Sequence, residues 1–110
     1  MIIYTGTHDN DTLMEWYGNL SPAARRKVRR FLKKEGCRAG SVKDRLITYL
    51  LHSPAQYAII PMQDWLGLGA EARMNVPSRP WGNWQWRLEP GALTPALAQR
   101  IAALTELYGR

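Results

Sequence analysis

Two short, unbroken apolar runs stand out in an otherwise mixed chain, at residues 1–5 and 57–62. Neither run alternates with polar residues, which is typical of strands buried on both faces of a parallel sheet. Polar side chains follow each run directly: His8 and Asp9 after the first, and Gln63 and Asp64 after the second. Because parallel α/β folds carry their chemistry in the loops that follow the strands, we expect a functional site there.

Elsewhere the apolar residues recur at helical spacing and predict four helices, at about residues 12–17, 22–35, 42–53 and 95–108. Ser21 and Thr94 are each followed by proline, a strong signal for a helix start. Ser41 and Asp44 have the spacing of a capping box. Asp11 or Thr12 can cap the first helix, and for Asp11 a capping role is favoured over a role in chemistry.

The predicted order is strand, helices, strand, a long irregular segment at 64–91, and a final helix. It corresponds to two βα units in one α/β domain, joined by a crossover of about 50 residues, well above the minimum for parallel strands. Two parallel strands do not make a stable sheet. We therefore expect the sheet to need strands that this chain does not supply.

The composition is that of an ordinary globular protein, with 45% hydrophobic and 22% charged residues in 110. No apolar run approaches the roughly 18 residues that a membrane helix needs, and no signal sequence is recognisable. Cys37 is the only cysteine. These features predict a cytoplasmic protein in a reducing compartment, without a membrane partner.

The net charge of +6 is concentrated in residues 25 to 45, which hold ten Lys or Arg against Glu35 and Asp44. A solvated helix face explains this cluster better than a nucleic-acid-binding module. Phe31 is the only aromatic residue among the charges, and no helix-turn-helix or zinc pattern accompanies them. We expect no nucleic-acid partner, and such a module remains an alternative.

Asp9 is the strongest candidate for chemistry, because a carboxylate directly after a buried strand is well placed for charge stabilisation or acid–base catalysis. A helix cap would not explain the adjacent His8. For His8 we favour a hydrogen bond to a substrate hydroxyl, with a structural role as the alternative. His52 is the only other histidine, and metal sites need three or four ligands, so no metal is expected.

Sequence motifs for other kinds of catalysis are absent. Cys37 has no nearby histidine, and neither a nucleophile elbow nor a dinucleotide fingerprint is present. No cofactor is expected. Trp81, Trp84 and Trp86 could stack on sugars, which makes a small carbohydrate-binding module a second alternative, although the spacing of Trp84 and Trp86 favours one face of a strand.

Three ordered motifs resemble those of the 4-α-glucanotransferases (amylomaltases or disproportionating enzymes) of the α-amylase clan. Residues 4–12 read YTGTHDNDT and resemble a late active-site motif of that family. Residues 61–69 and 71–75 read PMQDWLGLG and EARMN, and residues 82–87 read GNWQWR; they resemble the segment after the last barrel strand and the closing loop. Together the matches span most of residues 2 to 87.

The resemblance implies that residues 1–110 are the C-terminal part of a (β/α)8 catalytic domain, with strands seven and eight. Asp9 matches the carboxylate that stabilises the transition state, and His8 matches a histidine that hydrogen-bonds the same sugar. Asn10, Asn75 and Arg73 would lie along the cleft and bind substrate. The implied substrates are maltooligosaccharides and other α-1,4-glucans, transferred by a retaining double displacement.

The family's nucleophile and its acid/base come from earlier strands, and no residue of this chain matches either position. A (β/α)8 barrel also needs about 250 residues. The resemblance therefore predicts that the N-terminal barrel portion is a required partner and that the isolated chain has no transferase activity. It also predicts exposed apolar sheet edges, which would cause the isolated chain to oligomerise or aggregate.

Overall fold

The computed structural model describes all residues from 1 to 110. Two strands and five α-helices follow one another along the chain, with one 3₁₀ turn at Ala70–Ala72. The strands are β1 (Ile2–Tyr4) and β2 (Tyr57–Ile59). The helices are α1 (Leu13–Gly18), α2 (Pro22–Lys34), α3 (Val42–Leu51), α4 (Met62–Trp65) and α5 (Pro95–Leu107). The four predicted helices are all present, and α4 is a short addition within the segment expected to be irregular.

The helix starts follow the capping signals of the sequence. The Ser21 and Thr94 side chains accept hydrogen bonds from the third residue after each, and proline occupies the first helical position of α2 and α5. At α3 the capping box is complete: Ser41 Oγ accepts the Asp44 N–H at 3.3 Å, and Asp44 Oδ2 accepts the Ser41 N–H at 3.1 Å. Local hydrogen bonding therefore determines where these helices begin.

β1 and β2 pair in parallel, with Ile2 opposite Tyr57, Ile3 opposite Ala58 and Tyr4 opposite Ile59. The parallel sheet inferred from the apolar runs is thus confirmed for the two strands. The carboxyl ends of both strands lie at the same edge. This brings the loop after β1 next to the segment after β2.

The core lies between the helices and one face of the sheet. Leu13, Ile47, Leu51 and Trp65 form a buried cluster. Partly buried side chains from α3 and α4, and from β2, α5 and the residues that directly follow them, pack around it: Leu46, Ala58, Ile60, Met62, Ile101, Leu104 and Tyr108. Apolar burial between α1, α3 and α4 therefore fixes the position of both post-strand segments.

The other face of the sheet is bare. Ile2, Tyr4, Tyr57 and Ile59 are each more than half exposed, between 51% and 59%. The expectation of strands buried on both faces is therefore wrong for this chain by itself. The physical reason is that all of its helices pack on one side, and side chains of a strand alternate between faces.

Asp44 also joins α3 to α5, because its carboxylate pairs with Arg100 and lies 3.2 Å from Lys43. Burial raises the pKa of the Asp44 carboxyl. The hydrogen bonds from Arg100, from the Ser41 backbone and side chain, and from Lys43 lower that pKa by more, and the net result lies well below its usual range.

Basic side chains of α2 cover its solvent face, where Arg26, Lys27, Arg30 and Lys33 are exposed. Leu32 turns inward and is fully buried.

None of the helices combines the length and the apolar character that crossing a bilayer requires.

Candidate functional site

The loop after β1, residues 6–12, carries the predicted site residues and is shaped by its own side chains. Asn10 Oδ1 accepts hydrogen bonds from the Thr7 N–H and from Thr7 Oγ1, both at 2.9 Å. This is a local turn in which an asparagine side chain replaces a backbone acceptor. The polar side chain of Asn10 therefore contributes to the shape of the loop.

The loop ends at Thr12, whose hydroxyl accepts the Glu15 N–H at 3.2 Å and caps α1. The preference for Asp11 as the cap is therefore wrong. Thr12 is buried and has the extended backbone that a cap needs. The Asp11 carboxylate instead points across to Arg73, at 3.0 Å.

Asp64 fixes both ends of this loop from the segment after β2. Its side chain is 2% exposed. One carboxylate oxygen accepts the Thr5 hydroxyl, at the end of β1, and the other accepts the Leu13 N–H at 2.8 Å, at the start of α1. A buried carboxylate needs such donors, so the two strand ends are held in one arrangement.

Asp9 lies at the exposed side of the loop, with a side chain that is 48% exposed. Its Oδ1 accepts the Asn75 amide at 2.5 Å, and its Oδ2 lies 3.3 Å from His8 Nε2. An amide and an imidazole thus orient the carboxylate, and no Lys or Arg pairs with it. An anion held in this way is suited to stabilise positive charge that develops on a bound substrate.

Arg73 lies behind Asp9 with a side chain only 15% exposed. Its Nη1 donates to Asp11, and its Nη2 donates to the carbonyl oxygens of Asp9 (3.2 Å) and Asn75 (3.3 Å). Glu15 is 3.7 Å from Nη1. The structure therefore brings His8, Asp9, Asn75 and Arg73 together, as their positions after parallel strands suggest.

Trp84 packs against the site from the closing loop, with its ring centroid 5.0 Å from that of His8. It is the only non-glycine residue with a positive φ, +62°. Its N–H donates to the Met74 carbonyl at 2.5 Å, which holds this strained backbone in place. The strand face inferred for Trp84 and Trp86 is not formed, because Trp84 adopts a left-handed turn.

The sequence pattern pointed to His8 and Asp9, and the family resemblance pointed to Asn75, but two structural members of the candidate site were missed. Asp64 lies almost directly after the second apolar run, which marked it as a candidate. Its hydrogen bonds to Thr5 and Leu13 could not be predicted from the sequence alone. The contact between Trp84 and His8 depends on a positive φ at Trp84, which is not expected for a tryptophan from its residue type. No group of three or more His, Cys, Asp or Glu side chains is arranged to hold a metal ion.

Comparisons with known proteins point to one family. The 4-alpha-glucanotransferase family model matches residues 1–94. The chain is 42% identical over 113 residues to the 4-alpha-glucanotransferase of Thermus thermophilus, covering 100% of this chain and 23% of that protein. It is 43% identical over 110 residues to that of Synechocystis, covering 99% of this chain and 21% of that protein.

A solved structure is similar over the whole chain: an amylomaltase from Streptococcus agalactiae, in complex with acarbose. The TM-score is 0.90 at 30% identity, and the match covers 100% of this chain and 22% of the amylomaltase. This chain thus spans about a fifth of the length of the relatives it matches. The extent of the family match and the identity to these enzymes lead to one conclusion: the chain belongs to the 4-alpha-glucanotransferase family.

Proposed function

We propose that this chain forms the C-terminal part of the (β/α)8 catalytic domain of a 4-α-glucanotransferase, with β1 and β2 as strands seven and eight. Three features support this placement. The strands are parallel, the helices all cover one face, and the opposite face is apolar and bare. In a barrel the helices form the outer ring, and the inward face is filled by side chains of other strands.

The proposed reaction is the transfer of α-1,4-glucan segments between maltooligosaccharides by a retaining double displacement. Such a reaction uses two carboxylates about 5 Å apart, as nucleophile and as acid then base, through a transition state that resembles an oxocarbenium ion. In this proposal both carboxylates belong to the remainder of the barrel. The isolated chain would then be inactive.

Asp9 is the proposed transition-state stabiliser. Its carboxylate is oriented by Asn75 and His8 but is not neutralised by a cation. A hydrogen bond from a sugar hydroxyl to such a carboxylate strengthens as positive charge develops on the ring. His8 and Asn75 would contact the same sugar. The Asn10 side chain helps to shape the loop after β1, and Asn10 would border the sugar as part of that loop.

The proposed substrates are consistent with a relative's ligand, since the similar amylomaltase is in complex with acarbose. Cys37 is buried and unpaired, which fits a reducing compartment, and the cytoplasm is the proposed location. The required partner is the N-terminal barrel portion, which would supply the other catalytic carboxylates.

The observation that carries the proposal is the contact between the Asp9 carboxylate and the Asn75 amide at the shared edge of the two strands. A hybrid enzyme tests it: this chain replaces the aligned segment of the Thermus thermophilus enzyme, to which it is 42% identical. We expect the hybrid to disproportionate maltotriose. Asp9→Asn should lower kcat by at least about 100-fold, the usual effect of losing one preorganised electrostatic contact.

Glu106→Gln is the matched control, because Glu106 is an exposed acid on α5, away from the loop after β1. It should leave kcat unchanged. A folded hybrid without transferase activity, or an Asp9→Asn variant as active as its parent, would contradict the proposed function.

A further inference from the structure

The guanidinium of Arg73 has no N–H group that is both free and accessible to a substrate. Nη1 faces Asp11 and Glu15, and Nη2 donates to two backbone carbonyl oxygens. The remaining donor, Nε, is buried and has no hydrogen-bond partner. An arginine has five N–H donors. Those of Nη1 and Nη2 point at groups of the protein, and Nε is buried, so a contact with a sugar would require breaking an internal contact or uncovering Nε.

The contacts of Arg73 instead define the geometry of the site. One nitrogen, Nη2, bridges the carbonyl oxygens of Asp9 and Asn75, at 3.2 and 3.3 Å. These are the two residues whose side chains meet at 2.5 Å. Holding both backbones at one point limits the distance between the half-exposed Asp9 side chain and the partly buried Asn75 side chain.

The position of the charge matters as well. Arg73 pairs with the Asp11 carboxylate and lies close to Glu15, but it touches Asp9 only through the main-chain oxygen. No Lys or Arg side chain therefore pairs with the Asp9 carboxylate. A guanidinium paired with the Asp9 carboxylate would weaken the attraction of that carboxylate for positive charge that develops on a bound sugar.

We propose that Arg73 is a positioning residue of the transferase reaction: it fixes Asp9 against Asn75 and does not bind the glucan. This inference rests on the proposed function of Asp9. It replaces the substrate contact that the sequence resemblance implies for Arg73. Lysine cannot substitute fully, because an ammonium lacks the planar fork that reaches a carboxylate and two carbonyl oxygens together.

Kinetics of the hybrid enzyme test the inference. Arg73→Lys keeps a cation beside Asp11 and Glu15 and so protects the fold; we expect kcat to fall about 10-fold with KM within about threefold. Arg73→Ala should lose about 100-fold in kcat and recover at least threefold when about 50 mM guanidinium chloride is added. Arg26→Ala is the matched control on the exposed face of α2, and it should change neither constant. A rise in KM at unchanged kcat, or no rescue by guanidinium, would overturn the inference.

A structural readout separates this inference from the proposed function. Crystal structures of the parent hybrid and of Arg73→Lys report the separation of the Asp9 carboxylate and the Asn75 amide, whether or not the hybrid is active. We expect this separation to exceed hydrogen-bond distance in the variant. An unchanged contact would refute the positioning role, whereas an inactive parent hybrid with an intact contact would refute only the proposed function.

Discussion

Asp9 and Asn75 are 66 positions apart in the sequence, yet the Asn75 amide nitrogen lies 2.5 Å from the Asp9 carboxylate. Parallel pairing of β1 with β2 makes this contact possible, because it places the segments after both strands at one edge of the sheet. The contact is the centre of the candidate site.

Removing the amide should impair catalysis without unfolding the protein. Asn75→Ala leaves Asp9 oriented only by His8, and we expect kcat/KM of the hybrid enzyme to fall about 10- to 100-fold. Asn19→Ala, at an exposed asparagine after α1, is the control and should retain full activity. Steady-state kinetics with maltotriose measure the effect, and equal activity of the two variants would argue against a role for the Asn75 side chain.

The 110-residue chain alone should not transfer glucan segments, because no carboxylate in it matches the nucleophile or the acid/base of the family. Incubation of the purified chain with maltotriose should release no glucose above the background of a denatured sample. Production of glucose and maltotetraose by the pure chain, lost in Asp9→Asn, would show that the chain contains a complete site.

The bare face of the sheet should drive association of the isolated chain. Ile2 and Ile59 are 55% and 54% exposed on that face, and exposed apolar patches of this kind promote self-association. We expect oligomers by light scattering, and monomers when both residues are changed to lysine. Leu107→Lys, at an exposed leucine of α5, should have little effect on association.

The same double substitution should have the opposite effect in the hybrid enzyme. There the face is proposed to line the barrel interior, and two buried lysines would each cost several kcal/mol. The melting temperature of the hybrid should drop sharply. A monomeric wild-type chain with a sharp unfolding transition, or a hybrid unaffected by the two lysines, would contradict this assignment of the face.

Asp44 should make stability dependent on pH at the acid end. Its folded-state pKa lies below the ordinary value, so its contribution is complete above about pH 5 and is lost as the pH falls through the folded-state pKa. Asp44→Asn should lower the melting temperature of the hybrid at pH 7. The difference in melting temperature between the variant and the parent hybrid should be smaller near pH 3 than at pH 7. A difference independent of pH would contradict a stabilising charge at this position.

The sequence predicted most local structure because local signals determine it. Proline after Ser21 and Thr94, and the Ser41 capping box, act within one helical turn, so the starts of α2, α3 and α5 are correct. Asp11 illustrates the limit of such signals. It is as good a cap as Thr12 by residue type, and only the distant Arg73 settles which of the two serves as the cap.

The site was predictable only in part, for the same reason. His8 and Asp9 follow an apolar run directly, and Asn75 lies within a recognisable motif. The roles of Asp64 and Arg73 depend on partners 51 to 64 positions away, which residue type and spacing do not reveal. The bare face of β1 and β2 was not foreseen, because an unbroken apolar run does not show which side the chain itself will cover.

The distance along the chain between these partners has a kinetic consequence. Thr5 and Asp64 are 59 positions apart and Arg73 and Asp9 are 64 apart, so the bonds that join the loop after β1 to the segment after β2 each close a long segment of chain. The conformational entropy lost on closing such a segment opposes these contacts until the helices between the partners have formed and packed together. The arrangement of the candidate site should therefore form late in folding, after the helices that lie between its two segments.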